Sequence, residues 1–393
     1  MKIKNQAILI LALASASAVI GMTLITPSLP MIRFDFQISA DTTQLILTLY
    51  LIFISIGQIF FGTLSDLYGR RAILIFGSIL YCVGGLLAMY SPDIHFLIFA
   101  RIIQASGAAA CMSMARLIVN DSLEKNEAAE KLSLITAIMV IFPNIALILG
   151  GAIVETIGWR GVMCTIFIFG FFLFFGSYFL IPETNKSKKQ SLDFNKILFS
   201  YKNIFQNKLF LNFSSIAAIQ SGIFFSMFSF MPYEFYRIGI SPLQFGFWLS
   251  FTGIGYFFGN IINQRFASKV GISKMCLIGC NGSILAFILL LIFDYYGFKN
   301  PLFISLPILF FGLSNGITVA NALIGAVSST PDNRGAANGL AGAMQMASGG
   351  IFGSFIISFG GDKSFMIAII IILFIGVFAV YNSYVTFKLS ENN

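Results

Sequence analysis

Arg101 and Gln104 stand one helical turn apart in a run, 96–118, that is otherwise almost wholly apolar. A guanidinium about six residues inside such a run costs several kcal/mol unless it faces water or a partner, so it is there for a reason. Two roles fit it: a charge used in function, with Gln104 in its network, or a structural residue bonded to helix-end carbonyls. Proton movement needs a group that alternates between protonated and charged states. No Asp or Glu stands in the middle of the first, second or fourth apolar run, which leaves Glu155 and Glu234, near the ends of theirs, with Asp41 behind them.

A second constellation follows the second apolar run: Gly62-Thr63-Leu64-Ser65-Asp66-Leu67-Tyr68-Gly69-Arg70-Arg71. The glycines permit a tight turn between neighbouring helices, and an acid at a helix end can face the positive N-terminus of another. A plain turn would explain Arg70 and Arg71 but not Asp66 with both glycines. Half a chain later, Gln264-Arg265-Phe266-Ala267-Ser268-Lys269-Val270-Gly271 keeps the glycine and the basic charge and lacks the acid. The repetition points to two related halves.

Catalytic constellations are scarce. One histidine, His95, excludes multi-histidine metal sites and most histidine-dependent nucleophiles by count. The cysteines Cys82, Cys111, Cys164, Cys276 and Cys280 all lie in apolar runs and read as small buried hydrophobes. The expectation is therefore no enzyme, no metal and no cofactor.

The elements that must position these residues are set by composition. Of 393 residues, 57% are hydrophobic and 10% charged, with 45 Phe and a mean hydropathy of +0.88, which places the chain in lipid. Apolar runs long enough to cross a hydrocarbon core of about 30 Å recur near 7–29, 43–63, 72–91, 96–118, 132–154 and 160–181, then 208–231, 243–265, 273–293, 301–327, 335–359 and 364–386. With both termini cytoplasmic, only Arg33, Arg160, Arg237, Lys299 and Lys363 of the 24 basic residues fall in outer loops. Arg101 and Arg116 belong to the fourth run, and the rest lie inside. The net charge of +8 is thus a topology signal, and no basic, aromatic-lined soluble face suits nucleic acid. The N-terminal run resembles a signal peptide around Ala14-Ser15-Ala16, but cleavage would remove a span and spoil the charge pattern. A polar break, 183–207, holds Lys186, Lys188, Lys189, Lys196 and Lys202 and reads as a linker lying along anionic headgroups. It separates an N-terminal six-helix half, 1–182, from a C-terminal one, 208–393.

The loop Gly62 to Arg71, at this place in the topology, resembles the signature loop of the major facilitator superfamily. Further segments extend the resemblance to the drug:proton antiporters of the bicyclomycin and chloramphenicol resistance type. They are Thr26-Pro27-Ser28-Leu29-Pro30, Gln58, Arg101-Ile102-Ile103-Gln104-Ala105-Ser106-Gly107, Arg116 with Asn120-Asp121, Gly158-Trp159-Arg160 and Pro182-Glu183-Thr184. Ser241-Pro242 with Phe245-Gly246 agrees more weakly. The resemblance implies an all-α membrane protein of the major facilitator fold, twelve helices in two pseudo-symmetric halves. It implies a cytoplasmic gate of Gly62, Asp66, Gly69, Arg70, Arg71, Arg116 and Gly335, in which Asp66 pairs with Arg116 and meets the start of the eleventh span, and a role for Arg101 in proton coupling. Two departures stand out. The fifth-span glycine motif is partly eroded to Ala146-Leu147-Ile148-Leu149-Gly150-Gly151 with Pro143 displaced, and Thr23 occupies the place of the usual first-helix aspartate.

Small residues Gly335, Gly339, Ala343 and Ala347 predict a closely packed eleventh span, static or sliding, and Gly255 and Gly259 predict the same in the eighth. The resemblance places a substrate cavity between the halves, for which Thr23, Tyr50, Gln58, Gln104, Gln220 and Asn315 are polar or aromatic candidates and Phe224, Phe225 and Phe228 an apolar wall. The reading that results is a monomeric, multi-pass transporter of the bacterial inner membrane. It exports a small amphipathic compound by alternating access with protons as the driver. A dedicated exporter of an endogenous metabolite, such as a siderophore or amino-acid derivative, and a non-transporting sensor of the same fold remain the alternatives.

Overall fold

The computed structural model describes residues 5–185 and 194–391. Lys2 and Lys4, and the linker lysines Lys186, Lys188 and Lys189, lie outside the described residues. The chain separates into two compact units, Met1–Leu192 and Asp193–Asn393.

The first unit comprises α1 (Asn5–Thr23), α2 (Leu29–Asp35), α3 (Ala40–Tyr68), α4 (Arg70–Met89), α5 (Ile94–Ser122) and α6 (Lys125–Leu180), with a single 3-10 turn at Thr26–Ser28. Side chains start the helices as their types predict: Ser39 accepts the Thr42 N–H at 3.1 Å to cap α3, and Asp93 accepts that of Phe96 at 2.9 Å to cap α5. The fifth and sixth apolar runs are joined within α6, which is why, among the described residues, eleven rather than twelve separate helices are long and apolar enough to cross a membrane. They are parted at Gly158 alone, whose φ of 75° and ψ of −179° leave the helical region in a conformation open to glycine.

The second unit comprises α7 (Phe194–Gln206), α8 (Lys208–Arg237), α9 (Pro242–Val270), α10 (Ile272–Tyr295), α11 (Pro301–Ser328), α12 (Arg334–Ser358) and α13 (Phe365–Glu391). Ser241 and Gln244 form a reciprocal capping box at the start of α9. The segment 194–206, expected to be linker, is helical.

One turn occurs in both units. α3 passes to α4 through Gly69 alone (φ 99°, ψ 154°), and α9 passes to α10 through Gly271 alone (φ 91°, ψ 145°). The weak sequence repeat is thus a repeated piece of geometry.

Within each unit one helix is packed by most of the others. α5 lies against α1, α3 and α4, and α11 lies against α8, α9 and α10. Glycine makes these approaches close. A Cβ at Gly84 would strike the backbone of Gln104, and one at Gly107 that of Tyr81, so α4 and α5 meet backbone to backbone. Gly255 and Gly259 of α9 interlock in the same way with Gly312 and Gly316 of α11. The eleventh span, α12, departs from its expectation at one end. Gly335 and Gly339 face open space, while Gly349, further along, packs against Phe225.

Candidate functional site

Arg101 is completely buried on α5, together with Gln104, Tyr50 and Tyr81. Its Nη1 donates to Gln104 Oε1 at 2.5 Å, and its Cζ lies 3.9 Å from the centre of the Tyr50 ring. Because a guanidinium only donates, this bond fixes the orientation of the Gln104 amide, with Nε2 turned away from the arginine. A desolvated cation–π contact of this kind is worth about 2 kcal/mol, which offsets part of the burial cost.

The α1 backbone completes the cluster. Tyr50 donates to the Ala18 carbonyl at 3.0 Å and Tyr81 to that of Ser17 at 3.2 Å. A Cβ on Gly21, one turn further along α1, would meet the Tyr50 hydroxyl and would lie 2.9 Å from both Gln104 Nε2 and the Tyr81 hydroxyl. Glycine at this position is what lets three polar tips from three helices reach α1. Thr23, at the place of the usual aspartate, is buried and donates to its own helix at the Val19 carbonyl, 3.0 Å away.

The signature loop forms a second centre. Arg70 donates from Nη1 to Asp66 at 2.8 Å and to Ser65, and from Nε to Asp121 at 3.1 Å. Arg71 reaches the Tyr178 carbonyl at 2.7 Å. This corrects one expected pairing: Arg116 does not reach Asp66, its guanidinium standing 3.9 Å from Met139 Sδ. Arg70 stands one turn from Asp66 across the Gly69 bend and holds its carboxylate. Gly62 is half-buried in α3, and Gly335 is exposed in the first turn of α12.

Glu183 joins this centre, a role its sequence position did not reveal. One carboxylate oxygen accepts the backbone N–H groups of Arg70, Thr184 and Asn185 at 3.0, 3.0 and 2.9 Å.

The described residues matched by the family model of the Major Facilitator Superfamily include both centres, the match running over residues 11–354. The chain belongs to the Major Facilitator Superfamily. Among its relatives in this superfamily, the bicyclomycin resistance protein homolog of Haemophilus influenzae is 28% identical, over 91% of this chain and 90% of that protein. The chloramphenicol resistance protein of Pseudomonas aeruginosa is 26% identical, over 81% of this chain and 76% of that protein. The solved D-xylose-proton symporter shares the fold with a TM-score of 0.77 at 15% identity, covering 96% of this chain and 97% of that one. A facilitator-superfamily chain is a transporter fold, and Arg101 is its buried charge in the fourth span.

In the second unit, Gln220 is completely buried, accepts the Ser283 hydroxyl at 3.0 Å and receives Asn315 Nδ2 on its backbone carbonyl at 2.8 Å. Phe224 lies beside Phe228 and Tyr256, with ring centres 5.5 and 6.4 Å apart. Gln58 is half-buried on α3, its Nε2 without a hydrogen-bond partner. The acids divide. Glu155 and Asp41 are exposed, whereas Glu234 is buried at the end of α8, paired with Arg237 and lining a cavity of about 40 Å³ with Asp294 and Lys299.

Proposed function

We propose that this chain is a secondary exporter in the drug-efflux branch of its superfamily, moving small amphipathic organic compounds outward by alternating access with protons as the driving ion. The observation that carries the reading is Arg101, fully buried with Gln104 in the fourth span of a chain whose signature loop keeps Asp66, Gly69 and Arg70 in contact. The names of its relatives, bicyclomycin and chloramphenicol resistance proteins, support the direction of transport and the kind of compound.

The protein works as a multi-pass monomer of the bacterial inner membrane with both termini in the cytoplasm, as its basic residues favour. The loop from Gly62 to Arg71 acts as the cytoplasmic gate, with Arg70 holding Asp66 and Asp121 in the closed arrangement. Residues 183–207 form the connecting linker, and 1–182 and 208–393 the two six-helix halves. Glu234 is the proton carrier. Its carboxylate adjoins a cavity with room for roughly two or three waters, through which protons arrive and leave. Gln220, Asn315, Phe224 and Phe228 line the substrate path in the second unit.

Energised inverted vesicles containing the protein test the reading. Addition of a fluorescent dye is expected to produce dye accumulation together with proton release from the lumen, followed by a pH-sensitive probe. Dye movement without proton release overturns the coupling, and no movement of any dye overturns the multidrug assignment.

A further inference from the structure

Arg101 is a buried cation with no carboxylate pairing it among the described residues. Its Nη1 is taken by Gln104, while Nε and Nη2 have no hydrogen-bond partner. These two nitrogens are not an arbitrary pair. Their N–H bonds run parallel along one edge of the planar guanidinium, and that edge is the fork that receives both oxygens of a carboxylate. One face is covered by the Tyr50 ring at 3.9 Å, so the guanidinium plane is held and its buried, unpaired edge is fixed in direction. Gln104 adds a further donor. The bond from Arg101 takes its Oε1, and its buried Nε2 lies beside the Tyr81 hydroxyl. The acceptors in the cluster are the neutral Gln104 Oε1 and the tyrosine hydroxyl oxygens, so none of its groups, all fully removed from water, neutralises the guanidinium, and Thr23, at the usual acidic position on α1, spends its hydroxyl on its own helix.

A charge buried in this way is strongly disfavoured without a counter-charge, and the most direct source of one is the cargo. We infer that the exported compound carries a carboxylate, received by the Nε and Nη2 edge of Arg101 with Gln104 Nε2 beside it. This rests on the reading of the chain as an exporter and names the charge class of its substrate: an organic monocarboxylate with an apolar body rather than a lipophilic cation. Tyr50 and Tyr81 hold the site by bonding to α1, leaving the guanidinium edge as the recognition element. Lysine cannot replace it, since an ammonium has no fork.

The test is thermal stabilisation of the purified full-length protein by matched probes: 1-naphthoate and salicylate against their neutral amides, 1-naphthamide and salicylamide. The acids are expected to bind roughly tenfold or more tightly than the amides, the discrimination of a charge-assisted bidentate contact. In Arg101→Lys most of that preference is lost, and in Arg101→Gln all of it. Equal stabilisation of wild-type protein by acid and amide overturns the inference without any variant, so a folding failure of Arg101→Gln leaves the test intact. Retention of the preference in Arg101→Lys also overturns it. The exporter reading fails separately, by the absence of vesicle transport. Transport of a cationic dye with no preference for the acids sinks the substrate class and leaves export standing.

Discussion

The carboxylate of Glu183, just beyond the end of α6, accepts the backbone N–H of Arg70 at 3.0 Å, at the start of α4. The same oxygen holds Thr184 and Asn185, and Asn185 Nδ2 reaches the carbonyls of Ser65 and Asp66 at 3.3 Å. The segment leaving α6 is thereby tied to the signature loop. An anion at a helix N-terminus satisfies orphan donors and meets the helix dipole favourably. Glu183→Ala is expected to cost about 1 kcal/mol, the usual worth of a helix cap, and Glu183→Gln less, because the amide oxygen still accepts. Thermal unfolding in detergent reads the difference; equal stability of both variants and wild type would show that the contact does not bind the segment.

Arg70 bridges two acids from two helices, and their side chains are 27% and 31% exposed. Partly solvated pairs of this kind contribute about 1 kcal/mol or less to stability. Asp66→Asn is therefore expected to fold nearly as well as wild type, with Asp121 still holding Arg70, and to lose transport through failure of the gate. Unchanged dye transport in a well-folded Asp66→Asn protein would remove the gate assignment.

Tyr50 makes two separable contacts, its ring under Arg101 and its hydroxyl on Ala18. Tyr50→Phe keeps the first and loses the second, so transport is expected to survive with a stability loss of about 1 kcal/mol. Tyr50→Leu removes the π face, and about 2 kcal/mol of cation–π stabilisation with it, and is expected to behave like Arg101→Gln. Initial rates in vesicles distinguish them; a Leu variant as active as the Phe variant would show that the ring does not position the guanidinium.

Glu234 is expected to carry protons and not substrate. Glu234→Gln should leave dye movement down its own gradient while abolishing dye-dependent proton release, whereas the exposed Glu155→Gln should change neither. Proton release that persists in Glu234→Gln would transfer the role to another group.

The spans, the loop and the Arg101–Gln104 pair were legible because each departs from an apolar background: a charge in a run of hydrophobes, or two glycines and an acid at a fixed place. Tyr81 and Gly21 were not. With 13 Tyr and 36 Gly in the chain, nothing local distinguishes the tyrosine whose hydroxyl meets α1 or the glycine that admits it. Their roles depend on how α1, α3, α4 and α5 are rotated about their axes, which periodicity does not set in helices apolar on most sides. The pairing of Asp66 with Arg70 instead of Arg116 was hidden for a related reason. The one-residue turn at Gly69 brings the start of α4 back beside the end of α3, and spacing along the chain does not show that this sets Arg70 against Asp66.

Gly21 gives the sharpest test of the buried cluster. Glycine to alanine inside a helix ordinarily stabilises by up to about 1 kcal/mol, because the alanine backbone loses less entropy on folding. At Gly21 the added methyl would meet the Tyr50 hydroxyl and come within 2.9 Å of Gln104 Nε2 and the Tyr81 hydroxyl. Overpacking in a closed interior costs about 1–3 kcal/mol, and here it also pushes Tyr50 and Tyr81 off the carbonyls they bond. Gly335→Ala is the control, since a Cβ there meets nothing within 4 Å. The expected result is opposite signs: a lower melting temperature with lost transport for Gly21→Ala, and an unchanged or raised one for Gly335→Ala. If Gly21→Ala is as stable and active as wild type, the tyrosines do not depend on that glycine, and Arg101 is not held in the way the geometry describes.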